Sequence, residues 1–247
     1  MQPKPPVVFQ EAMRECDDPA SQLFELANAE TVRYVTRAQR HVDIVQDQNA
    51  QTHTGGVIWE TAFLLATYLE HELADTCALP QTPPPSVLDI SAGCGLLGLV
   101  LAAMRFRVVL TEHPDAMRNL SHNVDNYNRS NSSISDTRGC SEKKKHHGRH
   151  QPLAMQLEWG LQRDIDAIKS CGAAPFDVIV GTDIVYQSEL VRPLLETMHA
   201  LASNRTVVWM CLQVRCAKAF QTFVDMAPEY FEFGEVPVDG LPGLEHA

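Results

Sequence analysis

Hydrophobic residues form two alternating kinds of pattern from Ser86 onward. Short, nearly continuous apolar runs predict buried strands. Between them, apolar residues recur at spacings of three and four, as on one face of a helix. The predicted strands are 86–90, 108–112, 153–157, 175–181 and 206–211. Because strands alternate with helices, the pattern predicts a doubly wound, mostly parallel α/β sheet.

Weaker alternating patterns occur near both ends of the chain. Residues 31–45 alternate in part, which predicts a β-hairpin or edge strands. Residues 231–238 alternate as well, which predicts a terminal antiparallel strand that pairs with the sheet. We therefore expect a small N-terminal extension over 1–45 and one α/β domain over 46–247.

The segment 128–151 differs from the rest of that domain. It is rich in serine and asparagine, then basic, with almost no apolar residue. This composition favours a disordered surface insertion. A metal-binding histidine cluster and a basic localisation or nucleic-acid patch are the alternatives. His146, His147 and His150 have no acid or cysteine at ligand spacing, so no metal site is predicted.

Composition limits the classes of function. The chain has 247 residues and a net charge of −11, which disfavours attraction of nucleic acid over the whole surface. No apolar run is long enough to cross a bilayer, and the first residues lack a signal-peptide core. The seven cysteines include no C-x-x-C pair, which favours a reducing compartment. We expect a cytoplasmic monomer, with the nucleus as the alternative location.

A glycine-rich turn follows the first strand of the sheet. The strand carries Asp89, small residues follow at Ser91, Gly93 and Gly95, and a helical pattern begins at Leu96. Strand, tight turn and helix together are typical of a nucleotide-type binding site. The spacing departs from G-x-G-x-x-G and suits a cofactor with a cationic amino-acid end better than a pyrophosphate. An ordinary tight turn is the alternative.

Two further residues lie at predicted strand ends. Glu112 follows Gly95 by 17 positions, where an acid of a doubly wound sheet accepts hydrogen bonds from two ribose hydroxyls. A solvated loop acid, or an N-cap helper before Pro114, is the alternative. Trp159 stands beside Gly160 and is placed to stack on a planar base. A lid over the core is the alternative.

Asp183 and Tyr186 follow the central strand, so both enter the crevice at its carboxyl end. Asp183 is suited to binding an amine, and Tyr186 to packing against its alkyl chain. A helix N-cap and a core tyrosine are the alternatives. Trp59 opens an amphipathic helix after a polar, glycine-containing loop. It is expected to lie over a ligand or to anchor the core.

Four segments together resemble the seven-β-strand (class I) S-adenosylmethionine-dependent methyltransferases. They are 56–60 (GVIWE), 87–98, 157–160 (LEWG) and 183–186 (DIVY). Within that class the chain is similar to the protein-lysine methyltransferase group with a D-x-x-Y motif, from about Val42 onward. The resemblance implies a Rossmann-like sheet of seven strands. The chain departs from the group's usual residues at four positions, which are Glu60, Ser91, Glu112 and Thr182.

The resemblance also implies roles for individual residues. Asp183 and Tyr186 would be the catalytic pair that shapes a channel for the substrate lysine. Glu112 would hold the ribose of S-adenosylmethionine, and the backbone of Thr182 would lie near its adenine or methionine end. The remaining residues expected at the cofactor are the two bordering tryptophans and the turn, namely Trp59, Trp159, Asp89, Ser91, Ala92, Gly93 and Gly95.

The function implied by the resemblance is methylation of a lysine side chain in a protein. The expected substrates are chaperones, AAA-type ATPases or elongation factors with an accessible lysine. No metal ion, nucleic acid or membrane partner is expected. The alternatives are methylation of protein histidine, RNA or a small molecule on the same fold, or a non-catalytic interaction protein that keeps the fold.

Overall fold

The computed structural model describes residues 7–8, 25–49, 54–73, 83–132 and 150–236. Strands and helices alternate along most of these ranges. The strands are β1 (Val7–Val8), β2 (Thr31–Val35), β3 (His41–Val45), β4 (Ser86–Ile90), β5 (Arg107–Glu112), β6 (Leu153–Gln156), β7 (Val178–Thr182) and β8 (Val207–Cys211). The helices are α1 (Glu60–Glu72), α2 (Leu96–Ala103), α3 (Met117–Ser132), α4 (Gln162–Ser170), α5 (Ser188–Leu201) and α6 (Ala217–Met226).

The main sheet has the strand order β6-β5-β4-β7-β8, and every pair in it is parallel. The prediction of a parallel, doubly wound α/β sheet is therefore confirmed. Successive strands run outward from β4 in one direction and outward from β7 in the other. The strand order thus reverses between β4 and β7, which is where sheets of this kind bind ligands, outside the carboxyl ends of the strands.

Alternate residues of the central strands enter two separate cores. Val87 and Val108 face a core shared with α1 and α2, whereas their neighbours Leu88 and Val109 face a core shared with α4 and α5. Because both faces are covered, β4 is buried at every position. This is why the sequence shows continuous apolar runs and no alternation in these strands.

The N-terminal region forms the predicted hairpin, with β2 antiparallel to β3 and β1 parallel to β2. The hairpin packs on the α1 side of the sheet. There the buried Glu70 accepts hydrogen bonds from the Tyr34 hydroxyl at 2.9 Å and the Arg37 N–H at 3.0 Å. Burial raises the pKa of Glu70, and these two hydrogen bonds oppose the rise. The division into 1–45 and 46–247 stays a prediction.

Two predicted features differ in the structure. Residues 231–236 form no strand, so within the described residues the sheet has five strands and not seven. A 3-10 turn at Ala227–Glu229 redirects the chain, and Phe231 instead packs against His199 of α5. Val238 lies outside the described residues.

The structure also differs from the prediction at the start of the segment 128–151. Helix α3 continues through 128–132, so the prediction of disorder was wrong there. Asn128 donates to the carbonyl of Pro152, and the Ser132 hydroxyl donates to the carbonyl of Asn128. These hydrogen bonds support the polar last turns of α3, where no apolar pattern in the sequence predicts a helix. Residues 133–149 lie outside the described part of the chain.

Candidate active site

A cleft opens at the carboxyl ends of β4 and β7, where the strand order reverses. Its empty volume is about 290 Å³. Its lining is mainly apolar, with exposed backbone from the glycine-rich turn. The lining residues are Val57, Ile58, Trp59, Ala62, Ala92, Gly93, Cys94, Leu96 and Thr182. Trp59, Ala92, Gly93 and Thr182 are all residues for which the sequence predicts cofactor contact.

The turn after β4 is built on left-handed backbone. Ser91, Gly93 and Gly95 have φ angles of 70°, 55° and 91°. At Gly95 an added Cβ would also lie 2.9 Å from the Leu120 side chain, so only glycine fits. Ser91 takes the same unfavourable conformation although it carries a side chain.

Asp89 lies behind this turn and not in the cleft. It is 2% exposed, and its carboxylate accepts a hydrogen bond from the Gly98 N–H at 2.9 Å. Burial raises the pKa of Asp89 to about 7; the hydrogen bond from Gly98 lowers it, and the charge of Glu112 adds to the rise. The geometry gives Asp89 the role of joining β4 to the first turn of α2, which holds the glycine-rich turn in place.

Glu112 ends β5 and lies against the same turn. Its carboxylate accepts hydrogen bonds from the backbone N–H of Gly93 at 2.7 Å and of His113 at 2.8 Å. The Ser91 hydroxyl donates to it at 3.3 Å. Because Glu112 is 7% exposed, the alternative of a solvated loop acid is wrong. Contact with a ribose stays a prediction.

The two predicted border tryptophans occupy different places. Trp59 is half-buried, lines the cleft and donates from Nε1 to the carbonyl of Thr54 at 3.1 Å. Trp159 packs against the core that β4 and β5 share with α4 and α5, and it is not among the lining residues of the cleft. Next to it, the Gly160 N–H donates to the Thr197 hydroxyl on α5 at 2.8 Å. Whether Trp159 reaches a bound cofactor stays a prediction.

Asp183 and Tyr186, which follow β7, are neither a helix N-cap nor a core tyrosine. Asp183 has a φ angle of 52°, and its N–H donates to the carbonyl of Cys211. The N-cap of α5 is Gln187, so Asp183 is not a helix cap. Tyr186 is 40% exposed and therefore no core residue. Burial, and next the charge of Glu112, raise the pKa of the Tyr186 phenol.

The sequence reasoning missed Arg215, which lies between β8 and α6. Its guanidinium binds Asp183 Oδ2 through Nη2 at 2.7 Å and Nε at 3.2 Å. It also reaches Glu60 Oε1 at 3.1 Å and lies 4.4 Å from the centroid of the Trp59 ring. Burial lowers the pKa of Arg215, but the hydrogen bond and charge of Asp183 outweigh it, so the pKa is raised.

A signal for Arg215 was present in the sequence. It follows a predicted strand of the parallel sheet, as Glu112 and Asp183 do. The same rule about carboxyl ends of strands therefore includes it. Its partners Glu60 and Asp183 are distant along the chain, so no local spacing marks the cluster.

Other kinds of site find no support in the described ranges. None of their helices is long and apolar enough to span a bilayer. The same residues include no group of three or more His, Cys, Asp and Glu that would hold a metal ion. The described cysteines Cys94, Cys171, Cys211 and Cys216 are free thiols.

Comparison with known proteins gives relatives that are named as lysine methyltransferases. Mouse protein-lysine methyltransferase METTL21E is 26% identical over 182 residues, 74% of this chain and 65% of that protein. Mouse protein N-lysine methyltransferase METTL21A is 25% identical over 202 residues, 82% of this chain and 79% of that protein. The chain spans only 55% of the bovine METTL21E protein.

Solved structures of low identity align as well. The SAM-dependent methyltransferase from Agrobacterium tumefaciens has a TM-score of 0.49 and 15% identity, over 81% of this chain and 58% of that one. The family model described as lysine methyltransferase matches residues 36–229 and so includes β3, the cleft and the Arg215 cluster. The chain belongs to the lysine methyltransferase family.

Proposed function

We propose that this protein transfers a methyl group from S-adenosylmethionine to the side-chain amine of a lysine in a protein substrate. The observation that carries the proposal is the meeting of three strand ends at one cleft. The glycine-rich turn follows β4, Glu112 ends β5, and Asp183 with Tyr186 follows β7. Membership of the lysine methyltransferase family supports the same reaction.

The residues at the cleft fit the proposed cofactor. Trp59 and the apolar lining give a face for a planar ring, and the turn offers backbone that side chains do not cover. Glu112 brings a carboxylate to the edge of the turn, suited to a pair of hydroxyl donors. S-adenosylmethionine supplies, when bound, a methyl group made electrophilic by its sulfonium.

The protein's own residues have to present a lysine amine in the neutral form. A lysine amine is mostly protonated at pH 7, and removal from water lowers its pKa. Tyr186 follows β7, is 40% exposed and has a raised pKa, so its hydroxyl stays neutral and is available to hydrogen-bond the amine. Orientation of the amine toward the methyl carbon supplies most of the acceleration such a reaction needs.

The test is incubation of the purified full chain with labelled S-adenosylmethionine and a cell extract, followed by mass spectrometry of labelled proteins. We expect label on a lysine. The matched control is Asp183→Asn, which keeps the side-chain shape and is expected to abolish labelling while circular dichroism stays unchanged. Label found only in RNA or in small metabolites would overturn the proposal, as would equal labelling by the variant.

The substrate class, location and oligomeric state belong to the same proposal. Chaperones, AAA-type ATPases and elongation factors are the expected substrates. A Xenopus tropicalis relative, 23% identical, is named EEF1A lysine methyltransferase 3, which supports the last of these. We propose a monomer that acts in the cytoplasm. Light scattering after gel filtration and imaging of a fluorescent fusion test these two points.

A further inference from the structure

We propose that Trp59, Glu60 and Asp183 form a cation site that selects the ammonium group of the incoming substrate lysine, and that Arg215 fills this site until the lysine replaces it. The inference rests on the proposed function and assigns the entry step of the substrate. The exchange makes and breaks no covalent bond, because one cation takes the place of another.

The three residues contribute groups that favour a positive charge. The Asp183 and Glu60 carboxylates both bind the Arg215 guanidinium, at 2.7 Å and 3.1 Å. The Trp59 ring lies 4.4 Å from the guanidinium carbon. Carboxylates beside an aromatic face are also the groups that bind alkylammonium ions. The cation site therefore suits a lysine ammonium as well as a guanidinium.

Because Asp183 is buried, its carboxylate is paired with a cation of the same chain, the Arg215 guanidinium. The side chain of Asp183 is 5% exposed. A carboxylate so far removed from water is costly unless a positive charge compensates it. Without substrate, Arg215 provides that charge. A lysine ammonium that entered would provide it equally well, so the exchange leaves the charge balance of the site unchanged.

Arg215 is placed so that it can leave. Its side chain is 35% exposed, and it lies in the irregular segment between β8 and α6. The carboxylates need not move with it, because Glu60 belongs to α1, and Asp183 is held through its own N–H by the carbonyl of Cys211. A change of side-chain rotamer by Arg215 therefore opens the cation site toward solvent.

The cation site adjoins the cleft directly. Trp59 belongs to both, and Thr182, which precedes Asp183, lines the cleft. A lysine bound by its ammonium group is thus held beside the proposed methyl donor. Because the carboxylates favour the charged amine, the amine gives its proton to solvent water only as it leaves them for the apolar cleft, where removal from water lowers its pKa.

The test measures binding of n-butylammonium chloride, the charged end of a lysine side chain, to the full chain by tryptophan fluorescence. We expect Arg215→Gln to bind this probe about tenfold more tightly than the wild-type chain. The matched control is Arg205→Gln, an exposed arginine outside the site, which should bind as the wild type does. Neutral 1-butanol should show no difference between the three proteins.

Equal butylammonium affinity of the wild type and folded Arg215→Gln would overturn the proposal. A second change, Glu60→Gln in the Arg215→Gln background, should remove most of the gained affinity. If Arg215→Gln does not fold, Arg215→Met is used. Methionine keeps an unbranched, mostly apolar side chain but carries no charge, so probe binding should still strengthen, and unchanged binding would overturn the proposal.

This measurement needs no methyl transfer, so it stands even if the proposed function fails. With an active enzyme, the kinetics separate exchange from a purely positioning role. Exchange predicts that Arg215→Gln lowers KM for the lysine protein about tenfold without loss of kcat. A loss of kcat at unchanged KM would overturn the proposal, because Arg215 would then serve only to position Asp183.

Discussion

At the scale of single residues, the site depends on backbone conformations that most side chains avoid. Ser91 and Asp183 both have positive φ, at 70° and 52°, and neither is glycine. Such conformations cost free energy and persist where the surroundings fix them, commonly at functional sites. Here Glu112 fixes the turn through the N–H of Gly93, and the carbonyl of Cys211 fixes Asp183.

Glu112→Ala is expected to weaken binding of S-adenosylmethionine by at least about 150-fold, because two charge-assisted hydrogen bonds to the ribose, each of about 1.5 kcal/mol or more, would be lost. Calorimetric titration of the purified chain measures this. Asp115→Ala, a nearby exposed acid, is the control and should bind normally. An unchanged Kd in Glu112→Ala would remove the ribose assignment.

Asp89 is expected to make stability depend on pH. Its pKa is about 7 in the folded chain, because of burial, and about 4 in the unfolded chain. The folded state therefore keeps a proton that the unfolded state loses, so this contribution falls as pH rises from about 4 to about 7 and is constant above.

Urea unfolding of the wild type and of Asp89→Asn across this range checks the sign. The stability of the wild type relative to the variant should decline by up to about 1.4 kcal/mol per pH unit. Asp166→Asn, at an exposed position, should follow the wild type. Parallel curves for wild type and Asp89→Asn would show that the Asp89 pKa is not raised.

At the scale of elements, a buried glutamine joins the N-terminal hairpin to the start of α1. Gln46 donates to the carbonyls of Leu26 at 2.9 Å and Ala29 at 2.7 Å, and it accepts from the Ile58 N–H at 2.6 Å. Ile58 lines the cleft and precedes Trp59. The extension thus supports the wall of the cleft through hydrogen bonds that no hydrophobic pattern predicts.

Gln46→Ala is expected to destabilise the chain by about 2 kcal/mol, because it takes the acceptor from the buried Ile58 N–H. Gln48→Ala is a matched control. Gln48 also donates to the carbonyls of Ala27 and Ala29, but it is exposed, so the loss should stay under about 0.5 kcal/mol. Denaturant unfolding of both variants tests this, and equal effects would contradict the role of Gln46.

At the scale of the whole molecule, the order of strands assembles the site from distant segments. Because β4 pairs with both β5 and β7, the turn, Glu112 and Asp183 end beside one another. Helix α1 then places Trp59 and Glu60 opposite Arg215. The net charge of −11 gives the whole molecule a negative field, which favours the approach of basic protein segments.

This field predicts that methylation of a lysine within a basic peptide depends on salt. We expect kcat/KM to fall roughly tenfold between about 0.05 and about 0.5 M sodium chloride, with kcat unchanged, because salt screens the approach and not the bound state. The control is a peptide with the same lysine among acidic residues, whose kcat/KM should not fall. A flat profile for the basic peptide would contradict steering by charge.

Most of the fold could be predicted from the sequence. Buried strands and amphipathic helices have different periods, and short βα connections leave few arrangements for a parallel sheet. The terminal strand was predicted wrongly over 231–236. An alternating pattern shows only that every second residue is apolar. Whether a strand forms depends on a partner edge, and here Phe231 packs on α5 instead.

The sequence by itself determined the order of the elements and the residues at each strand end, since both follow from local periodicity and from the chemistry of side chains. Only the tertiary structure decided which of those residues meet. It placed Asp89 behind the turn and Trp159 against the core shared with α4 and α5, and it brought Arg215 to Asp183, Glu60 and Trp59. The reason is that an ion pair between residues distant along the chain depends on how the elements pack in space. Hydrophobic periodicity describes single elements and cannot predict such a contact.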